Sequence, residues 1–252
     1  MPDMFEQICK EFNLEIEAES SCFSGVNLET HVNTYWYKKT GFHVDNPPNN
    51  SILSRKYKVD TNEVITPTTI DKILEVNYKY FFLQEQPNYI LNAELREKST
   101  KPSLKIIDSL ANRSNSKIFL AQTYTGKSDE KACLKIKECQ NGDCNDKYYC
   151  SDDFQSFEEK TDTLVRIYNN VALEFGFRTI PIAEVFEHFR KNQPQIELYK
   201  QGSHPTKNGS FIMACIHYFS ITNQKDFTKM EFNPVRKDFD VITKELLVFF
   251  SK

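Results

Sequence analysis

The sequence has no excess of positive charge, no long apolar run and few glycines. Its 32 Lys and Arg stand against 35 Asp and Glu, a net charge of −3, with an isoelectric point near 6.0. A chain without a basic footprint is a poor candidate for binding nucleic acid or an anionic membrane. No stretch approaches the roughly 20 consecutive apolar residues that a spanning helix needs. Met1 leads at once into an amphipathic pattern, so no basic-then-apolar leader is visible. Seven Gly and ten Pro exclude a collagen-like or fibrous chain. Low-complexity tracts and internal repeats are also missing.

What is present is 252 residues, with 20 Phe and 12 Tyr. That length suits one large domain or two small ones, and either can bury a real core. Residues 3–12, "DMFEQICKEF", set Met4, Phe5, Ile8, Cys9 and Phe12 on one helical face. "LEIEAES" then alternates Leu14, Ile16 and Ala18 with glutamates, the period of a strand. A second helix is expected from Asn27 to before Gly41, followed by a polar loop over 42–66 around Pro47-Pro48 and Asn49-Asn50.

Further on, helices are expected at 67–76, 102–114, 153–175, 183–192, 208–222 and 235–250. Short apolar strands fall at 78–84, 117–124 and 178–182. Helices alternating with buried strands indicate an α/β domain with a mainly parallel sheet, in a three-layer α/β/α sandwich. In such sheets, functional groups collect in loops at the carboxyl ends of strands. "SSCFSG", "QEQP" and "QTYTGK" occupy such positions.

Four cysteines, Cys133, Cys139, Cys144 and Cys150, crowd one polar loop, while Cys9, Cys22 and Cys215 have apolar neighbours. Such a cluster fits disulfides and an oxidising compartment. The spacing matches no common zinc pattern, and free surface thiols are the bland alternative. Four cysteines permit three pairings. The expected one is nested, Cys133 with Cys150 and Cys139 with Cys144, which staples an insert with almost no apolar residues of its own to bury.

The turn "LYKQGSHPTKNGSFIMACIHYFSIT", residues 198–222, sets a histidine and a proline before an apolar helix. Thr206 or Asn208 there reads as capping chemistry. Taken alone, His204 is an ordinary turn residue. "GSHPTKNGSFIMACIHY", however, resembles the final block of the SGNH (GDSL-type) hydrolase superfamily, in its bacterial branch ending "DGSHPS..GSYLAAC.FY". "MPDMFEQICKEFNLEIEAESSCFSGVNLETH", "YKYFFLQEQP", "IFLAQTYTGKSDEKAC" with "YYCSDDFQSFEE", and "IPIAEVF" resemble, in order, other segments of that family. The likeness covers most of the chain. It implies a single flavodoxin-like domain over 1–252, with a cysteine-containing insert at about 125–152.

In the family a Ser attacks an ester carbonyl, a His takes its proton, and an Asp three residues earlier orients the His. The resemblance places His204 on the base. Gly25 falls on the oxyanion glycine and Gln84 on the side-chain amide that also faces the oxyanion. No cofactor and no metal is implied. The implied substrate is a small ester or an acylated carbohydrate, and the implied location is secreted or periplasmic. Oligomeric state is left open.

Two departures qualify this. No Ser matches the nucleophile block, a strand followed by "GNS", which should precede residue 1; Ser20, Ser21 and Ser24 read as loop residues. The expectation is therefore a truncated chain lacking the first strand of its sheet. Gln201 also occupies the Asp position, and a neutral amide cannot stabilise an imidazolium by charge; an Asp→Asn exchange in a serine protease costs roughly ten-thousandfold in turnover. The expected function is an SGNH-type acyl hydrolase, inactive or impaired as given. The alternatives are a non-catalytic carbohydrate-binding or interaction module on the same fold, and an unrelated doubly wound ligand-binding domain. If a site exists, Gly25, Gln84 and His204 converge at one edge of the sandwich, with His204 and Gln84 no more than about 12 Å apart.

Overall fold

The computed structural model describes residues 2–18, 27–32, 69–124, 131–140, 143–200 and 204–252, and the following statements concern these. Helix α1, Pro2–Glu11, buries Phe5, Ile8 and Cys9, as its spacing predicts. The chain leaves it through Asn13, whose φ of 55° is left-handed, and the Leu14 N–H returns to the Cys9 carbonyl at 2.8 Å. Asn tolerates that conformation better than most side chains.

Leu14, Ile16 and Ala18 then pack one after another against the core, so the alternation seen in the sequence is real. The strand expected over 14–20 is nevertheless not found in its described part. Residues 14–18 join no ladder with any described strand, and Ala18 N–H is satisfied by the Glu6 carboxylate at 2.6 Å instead. Of the expected second helix only 28–32 is described, and it is helical. The rest of that helix and the loop over 42–66 lie outside the described residues.

From Thr69 the expected alternation of helix and strand holds, with shifted ends. It runs α2 (Thr69–Glu75), β1 (Tyr80–Gln84), α3 (Pro87–Leu91), α4 (Lys101–Ala111) and β2 (Lys117–Ala121). Two antiparallel strands follow, β3 (Cys133–Gln140) and β4 (Asp143–Cys150). The chain ends with α5 (Phe157–Phe175), β5 (Arg178–Ile180), α6 (Ile182–Asn192), α7 (Lys207–Thr222) and α8 (Phe239–Phe250). The helical turns between α3 and α4 were not anticipated. There Ala93–Leu95 and a wide turn, Arg96–Thr100, run into α4. Pro102 in the first turn of α4 lacks an N–H, and a wide turn just before it accommodates that loss.

The principal sheet is parallel, in the order β1-β2-β5. Tyr80 pairs with Lys117 and Gln84 with Ala121, then Phe119 pairs with Arg178 and Ala121 with Ile180. Side chains alternate across it. Phe82, Phe119, Ala121 and Ile180 face one core, built with α1, most of α6, α7 and α8. Phe81, Leu83, Ile118 and Leu120 face a second, built with α2, α4 and α5. Helices thus cover both faces, which is why these strands read as continuous apolar runs. No described residue pairs with the outer edge of β1.

The cysteine segment is a hairpin rather than a polar loop. Cys133 lies opposite Cys150, and Cys139 opposite Cys144, in the backbone register. Cys133 and Cys150 form a disulfide with 4.1 Å between their Cα atoms. The inner bridge expected between Cys139 and Cys144 concerns side chains outside the described ones. The insert also has an apolar face of its own: Ile136 and Tyr149 are buried against Tyr89 and Leu95, with Leu134 beside them. Cys9 and Cys215 are buried free thiols, and burial raises both pKa values.

Candidate active site

The carboxyl end of the parallel sheet carries a chain of polar groups. Gln84, the last residue of β1, is exposed. Its Nε2 donates to the carbonyl of Gln122, one residue past the end of β2, at 3.4 Å. Gln122 is fully buried. Its N–H continues the ladder to Ile180 at 3.0 Å. Its side-chain Nε2 donates to Glu184 at 2.7 Å, and its Oε1 accepts the Glu184 N–H at 3.4 Å. Glu184 lies in the first turn of α6, where a carboxylate is favoured by the exposed helix N–H groups. Two amide side chains, those of Gln84 and Gln122, therefore join the ends of β1 and β2 and the helix after β5.

His204 sits in the turn before α7. The Lys200 N–H donates to the His204 carbonyl at 2.7 Å, and the Thr206 N–H to the Leu198 carbonyl at 2.9 Å. Tyr199 and Pro205 form a bridge between those two bonds. Thr206 caps α7 through its hydroxyl, which accepts the Gly209 N–H at 3.1 Å. Asn208 instead reaches Asp238 at 2.9 Å. Gly209 is required by packing: a Cβ there would collide with the Leu198 carbonyl oxygen and stand 3.3 Å from Pro205.

The turn is braced against the sheet by aromatic rings. Tyr199 lies 4.9 Å from Tyr124 and 5.4 Å from Phe186, and Tyr124 stacks on Phe186 at 5.2 Å. Burial pushes the Tyr124 phenol up to about 12 and that of Tyr199 higher still. The cleft beside these rings, reaching Arg190 and Glu187, leaves about 10 Å³, room for one water. Because Tyr124 follows Gln122 by two residues, the His204 turn is tied to the same end of the sheet that bears Gln84.

The described histidines differ in availability. His217 is buried, with its ring edge-on to Phe82, and Nδ1 lies 2.7 Å from the Met213 carbonyl. His188 bridges α6 and α8 by a 2.5 Å contact with Glu245. His31 is largely enclosed, and burial lowers its pKa to about 4. His204 alone among the described histidines is exposed. Gly25 and Gln201 lie outside the described residues. Among the described residues no cluster of His, Cys, Asp or Glu could hold a metal ion, and no helix is long and apolar enough to cross a membrane.

Sequence reasoning marked the strand-end segments that hold Glu85 and Gln122 without singling out either residue, and missed Glu184. Glu85 is 1 % exposed and follows Gln84 directly. A signal for it existed, since Phe81, Leu83 and Glu85 share one side of β1 by the two-residue period. Burial pushes its carboxyl up to about 7, despite hydrogen bonds that favour the charged form.

No protein-family model matches the chain, and no curated protein matches it. Solved structures do. A DUF4886 family protein from Bacteroides uniformis superposes with a TM-score of 0.63 at 12% identity, covering 97% of this chain and 86% of that one. A protein from Slackia heliotrinireducens, described as "a putative SGNH hydrolase", gives a TM-score of 0.52 at 13% identity, covering 87% and 90%. At such identities the likeness is one of fold: this is a mixed α/β chain resembling an SGNH hydrolase fold.

Proposed function

We propose that the carboxyl end of the parallel sheet is the acyl-transfer site of an SGNH-type hydrolase scaffold, with His204 as general base and Gln84 as an oxyanion donor. The observation that carries this reading is the placement of Gln84. It lies exposed at the end of β1, and the turn with the exposed His204 is braced to the same end of the sheet through Tyr199 and Tyr124. Gly25 would supply a backbone N–H to the same oxyanion. The outer edge of β1, unpaired among the described residues, and the unladdered, alternately half-buried run 14–18 both fit an interior strand between them. A strand of that kind, ending in Gly-Asn-Ser, would bring the nucleophile.

The chemistry would run as acyl transfer. His204 takes the proton as the Ser oxygen bonds to the ester carbonyl carbon. The carbonyl oxygen, now negative, is held by the Gln84 NH2 and backbone N–H groups, and the same proton then leaves with the departing alcohol. Water repeats the sequence to free the acid. Gln201, at the position that orients the base, limits the rate because it offers no charge to the imidazolium. That substitution favours one second reading, a non-catalytic carbohydrate-binding or interaction module. The Cys133–Cys150 bridge supports a secreted or periplasmic location.

Hydrolysis of p-nitrophenyl acetate tests the assignment. The 252-residue chain should show none that depends on His204. The same chain preceded by a strand ending Gly-Asn-Ser should hydrolyse the ester slowly, lose activity with His204→Ala and gain with Gln201→Asp. Activity of the 252-residue chain that His204→Ala abolishes would mean that another nucleophile serves, and that the site is misassigned. An extended chain that stays inactive even with Gln201→Asp favours the binding module.

A further inference from the structure

Glu85 is a buried carboxylate at the meeting point of four segments. Its Oε1 accepts the N–H of Leu28 at 3.3 Å and of Gln86 at 2.7 Å, and its Oε2 accepts the Thr100 hydroxyl at 2.9 Å. Its main-chain carbonyl accepts the Tyr168 hydroxyl at 2.8 Å from α5. The helical segment 28–32, the start of α3, the wide turn 96–100 and α5 are thereby fastened to the end of β1. Among the described residues, the groups that act most strongly on it include no cation.

We propose that Glu85 is a pH-responsive tie: protonated, it holds the segment 27–32 and the start of α3 against the carboxyl end of β1, and its ionisation loosens them. The reason is desolvation. An ionised carboxyl at this position has donors but, among the described residues, no opposite charge that acts strongly on it, and opening returns it to water. Among the described residues, the titratable groups that interact with it work in the same direction or are silent. Glu29, on the 28–32 segment, opposes its ionisation by like charge. Tyr89 and Tyr168 have raised phenol pKa values and stay neutral near pH 7. His31, on the same segment, is held down near 4 and is uncharged there. Gln84 is the chain neighbour of Glu85, so the tie also fixes the end of β1 from which the proposed oxyanion donor projects. The inference itself rests on the fold and does not require catalysis.

Amide hydrogen exchange on the full chain tests it, read at Leu28 and Gln86, whose N–H groups Glu85 accepts. With the carboxyl near 7 when closed and near 4.5 when open, protection factors at both amides should fall roughly thirtyfold from pH 5.5 to 8.5. In Glu85→Gln they should be independent of pH. A flat wild-type profile, or an equal fall in the variant, overturns the proposal. Should the variant not fold, the side-chain carboxyl carbon of Glu85 is followed by NMR in the wild type. A midpoint near 7 supports the tie, and one in the ordinary carboxylate range overturns it.

Discussion

His217 gives the sharpest test of how the core is built. It lies on α7, 3 % exposed, with its ring 4.9 Å from Phe82 and 6.5 Å from Phe5, both edge-on. Nδ1 donates to the Met213 carbonyl. Burial lowers its pKa from 6.5 to about 4, although that hydrogen bond acts in the opposite direction. Folding therefore keeps the imidazole neutral where the unfolded chain would protonate it. The stability this contributes is full above pH 6.5 and is lost as pH falls towards 4.

His217→Leu removes the titration and keeps the apolar volume. At pH 7.5 the variant should be less stable by about 1–2 kcal/mol, for one hydrogen bond and two aromatic contacts. At pH 4.5 the wild type has lost about 2.5 kcal/mol that the variant keeps, the larger part of the roughly 3.4 kcal/mol that a shift of about 2.5 units carries at 1.36 kcal/mol each. The order of stability should reverse near pH ~5. Urea unfolding of both proteins, followed by far-UV circular dichroism between pH 4.5 and 7.5, measures the difference directly. His31 shares the sign and Glu85 has the opposite one. Both are present in the two proteins and cancel in the subtraction. A difference constant to within about 0.5 kcal/mol across that range would show that His217 takes its proton in the folded state and would refute the reasoning.

Two further outcomes follow from the geometry. Replacing Cys133 and Cys150 together by Ser should cost about 3 kcal/mol on the chain-entropy account of a loop this size, with proteolysis starting in the β3–β4 hairpin; cleavage starting elsewhere would mean that the contacts of Ile136 and Tyr149 hold the hairpin alone. Gly209→Ala should lower stability by about 1–3 kcal/mol, because the start of α7 must move off the Leu198 carbonyl. In the extended, active chain the same change should lower kcat more than it raises KM, since it shifts the turn bearing His204; unchanged kinetics would separate that turn from the chemistry.

The sequence by itself determined most of the elements and the class of fold. The apolar runs around Phe82, Phe119 and Ile180 are strands buried on both faces, and a short apolar run between amphipathic helices has few other solutions. It also pointed to the outer disulfide among three possible pairings, because Cys133 and Cys150 stand at the ends of a segment that can fold back on itself. The order of blocks singled out Gln84 and His204 as candidates, but not the environment of either.

Tertiary structure decided what each polar residue does. Cys133–Cys150 read as a polar loop, because Ile136 and Tyr149 are buried against Tyr89 and Leu95, some 40 to 60 residues earlier in the chain. Residues 14–18 carry a strand's alternation, yet whether a strand joins a ladder depends on a neighbour that local pattern does not contain. Glu85 and Gln84 are adjacent and both polar, but the pleat turns one outward and seals the other beneath Leu28, Thr100 and Tyr168. Gln122 looks like any polar residue after a strand. Only the closure of β5 and α6 over it leaves its amide one arrangement that satisfies Glu184. Burial, and the partners that burial makes obligatory, arise between segments far apart in the chain, so no local reading could assign them.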